Sequence, residues 1–187
     1  MRVLGIDPGL GRTGYALVDG APGRLRLIAA DRVDTVPQTD DAARLLSLFR
    51  LIDDVVTAHR PEVVAVEQLF FSTNRRTAMR VGEARGVILC AVAHAGAPVA
   101  EYTPTQVKQA VCGYGGAGKP QVARMTRTLL GLETGRDDVA DACAVAVCHH
   151  HRARLSALTK RRASRPAVSR LDIAIARARA RVQVLGR

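Results

Sequence analysis

Four acidic residues stand where their spacing could build a catalytic site. Asp7 follows the short apolar run at the start of the chain, and Glu67 directly follows four apolar residues, Val63 to Val66. Asp138 and Asp141 are three residues apart at the start of a segment rich in alanine and valine. Because residues three apart on a helix share one face, the last two acids are expected to point the same way.

The chemistry of such a group follows from its charge. Carboxylates held close together repel one another, and burial strengthens that repulsion. A divalent cation relieves it, and Mg²⁺ in particular combines one or two carboxylates with water and phosphate oxygens. Two such ions, about 4 Å apart, activate a water molecule and stabilise the leaving oxygen of a phosphodiester. The four acids therefore predict metal-dependent phosphodiester hydrolysis.

Each acid also has a structural interpretation. Asp7 precedes Pro8 and Gly9 and could be a turn residue, whereas Asp138 could cap its helix with Asp141 complementing the helix dipole. Glu67 is harder to explain in this way, since a charge that closes a buried strand needs a partner. As a set, the acids favour the catalytic interpretation.

The elements that must position these acids can be predicted from hydrophobic periodicity. Strands are expected over residues 1–7, 13–18, 25–33, 63–66 and 98–102. Helices are expected from Thr39 or Asp40 onward and over residues 77–95, 105–112, 120–130 and 138–152. If the first and fourth strands are neighbours, their carboxyl ends bring Asp7 and Glu67 together. This order predicts an α/β fold of the ribonuclease H-like type, a mixed five-stranded sheet flanked by helices.

The basic charge of the chain is concentrated at its carboxyl end. The formal net charge is +11, but residues 152–187 hold 11 Lys and Arg against one acid, Asp172, whereas the remaining residues are nearly balanced. A basic chain favours a polyanionic partner. We expect a nuclease domain over residues 1–154 and a flexible basic tail over residues 155–187.

Other features indicate an intracellular protein. An acid at position 7 interrupts any signal-peptide core, and the longest uncharged stretch is too short to span a membrane. The four cysteines lack the CxxC spacing and lie in apolar contexts, so we expect them to be reduced and buried in a cytoplasmic protein. Cys143, Cys148 and His149 to His151 could suggest zinc, but their spacing does not match common zinc sites.

Six short motifs together resemble the RuvC family of Holliday junction resolvases. They are Gly5-Ile-Asp-Pro-Gly9, Glu67-Gln68 with Phe70, Gly82-Glu-Ala-Arg-Gly86, Thr105-x-Val-Lys-Gln109, Lys119-x-Gln-Val122 and Asp138-Val-Ala-Asp-Ala142. They follow the order of the family and cover residues 1–152. The resemblance implies a homodimer that makes Mg²⁺-dependent paired nicks, with two ions per site and Mn²⁺ as a substitute. It also implies a role in recombination, repair and the SOS response alongside the RuvA–RuvB branch-migration complex.

The resemblance also implies roles for individual residues. The catalytic and metal-binding acids would be Asp7, Glu67, Asp138 and Asp141. Phe70 would be an aromatic wedge at the opened crossover. The alternative is that Phe70 and Phe71 both belong to the core, and for Phe71 the core is the interpretation that we favour. Positively charged side chains would bind the DNA backbone, or else be solvated charges. These are Lys108, Lys119, Arg75, Arg76, Arg80 and Arg85.

A stripe of small residues predicts a helix interface. Ala78, Gly82 and Gly86 recur at every fourth position, which permits close approach of another helix. The resemblance places the dimer interface here, and two-fold symmetry suits a substrate that needs two symmetric cuts. The alternative is that this stripe packs on the sheet of its own chain.

Two other classes of protein share parts of this pattern. The Gly-Ile-Asp-x-Gly opening also occurs in actin-like ATPases and sugar kinases, but those proteins need two such domains, for which 187 residues are too few. A junction-binding protein without catalytic activity is the second alternative. The presence of all four acids argues against this alternative. An assay that shows whether the protein cleaves a junction or only binds it would distinguish the two.

Overall fold

The computed structural model describes residues 1–35, 40–68, 75–131 and 136–163, without the side chains of residues 75, 76 and 156–163. The five strands are β1 (Arg2–Asp7), β2 (Arg12–Ala21), β3 (Arg24–Asp34), β4 (Val63–Glu67) and β5 (Val99–Tyr102). The helices are α1 (Asp41–His59), α2 (Arg75–His94), α3 (Pro104–Cys112), α4 (Lys119–Leu130) and α5 (Asp137–Ala163).

The strands form one mixed sheet in the order β3-β2-β1-β4-β5. The first three strands pair antiparallel as a meander, whereas β1 with β4 and β4 with β5 pair in parallel. This architecture confirms the predicted ribonuclease H-like α/β fold. It also makes β1 and β4 neighbours, which was the condition for bringing Asp7 and Glu67 together.

Alternating residues of β1 face two separate cores. Leu4 and Ile6 are fully buried in a cluster with residues of α1 and α2. Val3 belongs to a second cluster on the opposite face of the sheet, with residues of α3, α4 and α5. Since side chains alternate along a strand, Asp7 points to the same face as Val3, which is the face covered by α5.

Two glycines allow α5 to approach the sheet closely. A Cβ atom on Gly5 would lie 2.1 Å from the carbonyl oxygen of Ala142, and one on Gly14 would lie 2.0 Å from that of Asp138. Both distances are far shorter than any contact that a real Cβ atom makes. The absence of side chains at these positions on β1 and β2 therefore places the first turns of α5 directly against the strands.

Three consecutive histidines on α5 contact three different elements. The Nδ1 atom of His149 lies 2.9 Å from the hydroxyl of Tyr102, and the Nε2 atom of His150 lies 3.2 Å from the carbonyl oxygen of Val18. The Nδ1 atom of His151 lies 2.9 Å from the carbonyl oxygen of Ala110. These divergent contacts give the histidines a packing role and leave the zinc interpretation without support.

Helix caps follow the predicted chemistry. The side chain of Asp40 accepts a hydrogen bond from the backbone N–H of Ala43 at 2.9 Å, which begins α1. At α3, Thr103 and Gln106 form a reciprocal capping box. This hydrogen bond confirms Asp40, one of the two predicted N-cap candidates for α1; the other, Thr39, lies outside the described residues.

Some expectations were wrong in detail. Cys90 is exposed and Cys112 is partly exposed, so only Cys143 and Cys148 are buried as predicted, although all four are free thiols. The periodicity of α2 explains the exposure, since Ala84, Ile88, Ala91 and Val92 already form its buried face. Helix α5 was predicted to end at residue 152 but continues to Ala163.

The chain divides into two compact units, Met1–Arg154 and Leu155–Arg187. The five strands and the first four helices all belong to the first unit. Within the described ranges, no helix combines the length and the apolar character needed to cross a membrane.

Candidate active site

Asp7 and Glu67 end two adjacent parallel strands on the same face of the sheet. The register pairs Val3 with Val63 and Ile6 with Val66, so both acids come one residue after the last of these pairs. Val63 and Ala65 belong to the core cluster on the α5 face, and Glu67 continues their alternation. The two carboxylates therefore meet at one end of the sheet, as the sequence predicts.

The other two acids come from the first turns of α5. Asp141 lines a recess of about 310 Å³ together with Asp7 and Glu67. Lys108 from α3 and Lys119 from α4 complete the charged part of its lining. Asp138 lies at the margin, where its Oδ2 atom is 3.6 Å from Nη1 of Arg32. The fold thus gathers three of the four predicted acids around one recess, with two lysines beside them, and places Asp138 close enough for its charge to act on Asp7.

The environment of Asp7 disfavours its charged form. Burial raises the pKa of its carboxyl well above the usual range, and the charges of Glu67, Asp141 and Asp138 raise it further. The positive charge of Lys119 opposes this rise. The carboxyl of Asp7 therefore holds its proton more tightly than a free carboxylate does, and added positive charge would oppose this.

Glu67 experiences the same forces more weakly. Burial, followed by the charge of Asp141, raises the pKa of Glu67 from 4.5 to about 7. Lys119, a hydrogen bond with Asp7 and Lys108 all lower this pKa. Burial likewise raises the pKa of Asp141, against the effect of Lys119. Three of the four acids thus hold protons more tightly than free carboxylates do, which fits a site that binds a cation.

Lys119 is the closest cation to the acids that line the recess. Its Nζ atom lies 3.4 Å from Oδ2 of Asp141, and its side chain is otherwise largely exposed. The charges of Asp141, Asp7 and Asp137 raise the pKa of this amine, which keeps it positive. An exposed lysine at the edge of an acidic recess can bind a phosphate group that enters the recess.

A sequence model of one family matches nearly all of the first unit. The family described as crossover junction endodeoxyribonuclease RuvC matches residues 3–149. The chain belongs to the RuvC family. It is 52% identical over 151 residues to the crossover junction endodeoxyribonuclease RuvC of Moorella thermoacetica, which covers 80% of this chain and 90% of that protein.

Solved structures of RuvC proteins have the same fold. The RuvC structure of Thermus thermophilus superposes with a TM-score of 0.76 at 40% identity and covers 83% of this chain and 97% of its own. A second structure, T. thermophilus RuvC in complex with a Holliday junction substrate, gives a TM-score of 0.75 at 37% identity with 83% and 96% coverage. The resemblance inferred from the six motifs is therefore confirmed, and with it the assignment as an endonuclease.

Membership in the RuvC family implies dependence on a divalent metal ion, and the donor set fits one. The acids supply only carboxylate oxygens, which are the ligands that hard divalent cations prefer. Across residues 1–35, 40–68, 75–131 and 136–163, however, no three His, Cys, Asp or Glu side chains converge into a formed metal centre. Asp7 and Glu67 share a hydrogen bond and Asp141 lines the same recess, so a cation that enters the recess would meet their carboxylate oxygens.

The predicted DNA contacts lie in different surroundings. Phe70 is outside the described residues, as are the side chains of Arg75 and Arg76. Arg80 is half exposed and pairs with Asp41 of α1 at 3.3 Å. Arg85 pairs with Glu101 of β5, so its guanidinium already has a partner within the chain.

Several residues that build this site carry no sequence signal for it. Gly14 makes room for Asp138, and Arg32 of β3 reaches the same carboxylate. Neither lies in one of the six motifs named in the sequence analysis. From the sequence alone, an arginine in a strand at the edge of a sheet is interpreted as a solvated charge. Only the register of the sheet, which pairs Gly14 with both Asp7 and Arg32, identifies them.

Proposed function

We propose that this RuvC-family endonuclease resolves Holliday junctions by paired, symmetric, Mg²⁺-dependent nicks during recombination and repair. The observation that carries the proposal is that Asp7, Glu67 and Asp141 line one recess, with Asp138 close enough for its charge to raise the pKa of Asp7 further. The T. thermophilus RuvC bound to a Holliday junction supports four-way DNA as the substrate. We also propose that the enzyme acts in the SOS response, through the same role in repair.

The four acids Asp7, Glu67, Asp138 and Asp141 are the proposed metal ligands and catalytic residues. Their carboxylate oxygens suit Mg²⁺, with Mn²⁺ as a substitute, and a four-carboxylate set can neutralise two ions. Bound ions would activate a water nucleophile and stabilise the leaving oxygen. The protein positions these acids through β1, β4 and α5, and the scissile phosphate and the bound ions would complete the arrangement.

The cations near the recess are proposed to hold the cleaved strand. Lys119 and Lys108 line the recess with the acids and can each bind a phosphate oxygen. Arg75, Arg76 and Arg80, at the start of α2, are proposed to contact the backbone, which positions DNA without reading its sequence. Phe70 is proposed to insert at the crossover, where an apolar side chain unstacks a base step for a few kcal/mol.

A homodimer through α2 is proposed for the two symmetric cuts. Met79 on this helix is 67% exposed, and a Cβ atom on Gly86 would have no neighbour within 4 Å. Ala84 and Ile88, by contrast, pack on the sheet. The part of the stripe at Gly86 is therefore open to a second copy, whereas Ala78 and Gly82 are partly buried. We further propose that the enzyme works in the cytoplasm with the RuvA–RuvB complex, and that the basic residues 155–187 form a unit distinct from the nuclease domain of residues 1–154.

The experiment that tests the proposal is cleavage of an end-labelled synthetic four-way junction. Wild type and Asp7→Asn would be compared with Mg²⁺, with Mn²⁺ and with EDTA, over several junction sequences. We expect symmetric nicks that need the metal and disappear in Asp7→Asn, whereas junction binding survives. Binding without cutting under every condition would favour the noncatalytic alternative, and cutting that persists in Asp7→Asn would remove the acid from the site.

A further inference from the structure

Arg32 lies in the same row of the sheet as the proposed catalytic acids. In the strand register, Asp7 of β1 is opposite Gly14 of β2, and Gly14 is opposite Arg32 of β3. Cross-strand partners project their side chains from the same face of a sheet. Arg32 therefore points to the α5 face at the level of Asp7, with the side-chain-free Gly14 between them.

The guanidinium of Arg32 is anchored on one side by Asp34. Its Nε atom lies 2.9 Å from Oδ1 of Asp34, and its Nη2 atom lies 2.9 Å from Oδ2 of the same carboxylate. This two-point contact is the bidentate arrangement that fixes both the position and the plane of an arginine. Only Nη1 remains directed away from Asp34, and it lies 3.6 Å from Oδ2 of Asp138.

The backbone of α5 brings Asp138 to this fixed guanidinium. The carbonyl oxygen of Asp138 lies directly over Gly14, so the residue cannot move inward. The side chains of Arg32 and Asp138 are 24% and 29% exposed, so water only partly screens their attraction. Asp141 has Lys119 as its nearest cation, and Asp138 has Arg32 in the equivalent role.

We propose that Arg32 is a positioning residue for the metal site, which holds the carboxylate of Asp138 in a binding-competent orientation while Asp34 holds Arg32. This inference rests on the proposed function, in which Asp138 is a metal ligand. A partner that orients a ligating carboxylate raises metal affinity, and loss of such a partner typically weakens binding about 10–100-fold. A cation that merely competed with the metal would have the opposite effect.

The test measures metal binding in the absence of DNA. Binding of Mn²⁺ would be followed by the electron paramagnetic resonance of the free ion, with Asp7→Asn as the blank for the site. We expect Arg32→Gln to raise the Mn²⁺ concentration at half-saturation by about tenfold. Arg32→Lys should weaken binding similarly, because an ammonium cannot form the two-point contact with Asp34. Asp34→Asn should weaken it less, in the same direction.

A neighbouring ion pair provides the matched control. Arg136 lies 2.8 Å from Asp31, so this pair also joins β3 to the start of α5, through a carboxylate that is not one of the four acids. Arg136→Gln should therefore leave Mn²⁺ affinity within about twofold of wild type. An equal loss in this variant would mean that Arg32 is only a structural link between β3 and α5, and would overturn the proposal.

The other outcomes are equally distinct. Unchanged or tighter Mn²⁺ binding in Arg32→Gln, or wild-type binding in Arg32→Lys, would also overturn the positioning role. If the melting temperature of Arg32→Gln is far below that of wild type, the positioning role is tested with Arg32→Lys and Asp34→Asn instead. If wild type itself shows no Mn²⁺ binding beyond the Asp7→Asn blank, the metal site of the proposed function fails, whereas a failure confined to the Arg32 variants leaves that function intact.

Discussion

The α-carbon of Gly14 lies directly beneath the carbonyl oxygen of Asp138, so close that a methyl group on the glycine would be 2.0 Å from that oxygen. The contact joins the second strand to the first turn of the last helix, which are far apart in the sequence. It sets the height of Asp138 and Asp141 above the sheet. The separation of these acids from Asp7 therefore depends on position 14 being a glycine, which has no side chain.

Gly14→Ala should displace the start of α5 and damage catalysis more than stability. We expect a loss of about 1–3 kcal/mol in the free energy of unfolding, as for other overpacked sites. A shift of about 1 Å in the acids should lower the cleavage rate roughly 100-fold. Chemical denaturation and single-turnover cleavage would measure the two effects.

A second glycine substitution serves as the control for Gly14→Ala. A Cβ atom on Gly116 would meet only the ring of Tyr114 at an ordinary 3.7 Å, so Gly116→Ala should leave both stability and cleavage nearly unchanged. Full activity in Gly14→Ala would show that α5 tolerates displacement and that its close approach is not needed for the site.

Glu67→Gln should stabilise the metal-free protein at high pH. Folding raises the pKa of Glu67 from 4.5 to about 7, so the folded state takes up a proton that is lost as the pH rises through that range. Wild type therefore loses stability as the pH rises, whereas a glutamine does not titrate and avoids this loss. We expect the free energy of unfolding of Glu67→Gln to exceed that of wild type by roughly 1–3 kcal/mol at pH 8, a difference that vanishes near pH 4.5. Thermal unfolding in EDTA across this range measures the difference.

The same comparison can be made with metal. Mg²⁺ should raise the melting temperature of wild type more than that of Glu67→Gln, because the variant loses one proposed ligand. Asp54→Asn, on the exposed face of α1, is the control and should follow wild type at every pH. A Glu67→Gln curve parallel to wild type from pH 4.5 to 8 would contradict the raised pKa.

Lys119→Gln should shift the acid limb of the pH–rate profile to higher pH. Lys119 lowers the pKa of both Asp7 and Glu67, so its removal lets protons compete with the metal at higher pH. Lys108→Gln should cause a smaller shift, because Lys108 acts on Glu67 and is the least of the influences there. Cleavage at subsaturating Mg²⁺ measures both profiles, and equal shifts in the two variants would contradict this ranking.

Phe70→Ala should impair junction cutting with little change in melting temperature. If Phe70 opens base pairs at the crossover, the defect should shrink on a junction whose crossover bases are already mismatched. Phe71→Ala is the comparison, because Phe71 is predicted to belong to the core and its loss should lower the melting temperature. A large drop in melting temperature for Phe70→Ala would assign Phe70 to the core instead.

Removal of residues 164–187 should weaken the salt dependence of DNA binding. The deletion leaves α5 intact to Ala163 and removes six arginines and one aspartate. If all six arginines meet phosphates, the slope of log K against log salt should fall in magnitude by about five. Fluorescence anisotropy in Ca²⁺ measures this slope without cleavage, and an unchanged slope would mean that the tail does not contact DNA.

The sequence predicted the order of the elements because each carries its own periodicity. It also predicted that Asp7 and Glu67 would meet, since carboxyl ends of neighbouring parallel strands share one edge of the sheet. It could not predict the roles of Gly14 and Arg32, which depend on register between strands and on the height of a distant helix. The exposure of Cys90 was missed for a related reason, because apolar neighbours in sequence do not specify which face of a helix is buried.

The histidines at positions 149–151 also fix the rotation of α5 about its own axis. Successive residues on a helix project about 100° apart, so three in a row that each find a partner define the rotation of the helix uniquely. Tyr102, Val18 and Ala110 are those partners, on two strands and a helix. A one-residue slip would turn Asp138 and Asp141 by the same angle, away from Asp7. The orientation of the proposed catalytic carboxylates on α5 is thus set more than two turns further along the helix, by side chains outside the proposed site.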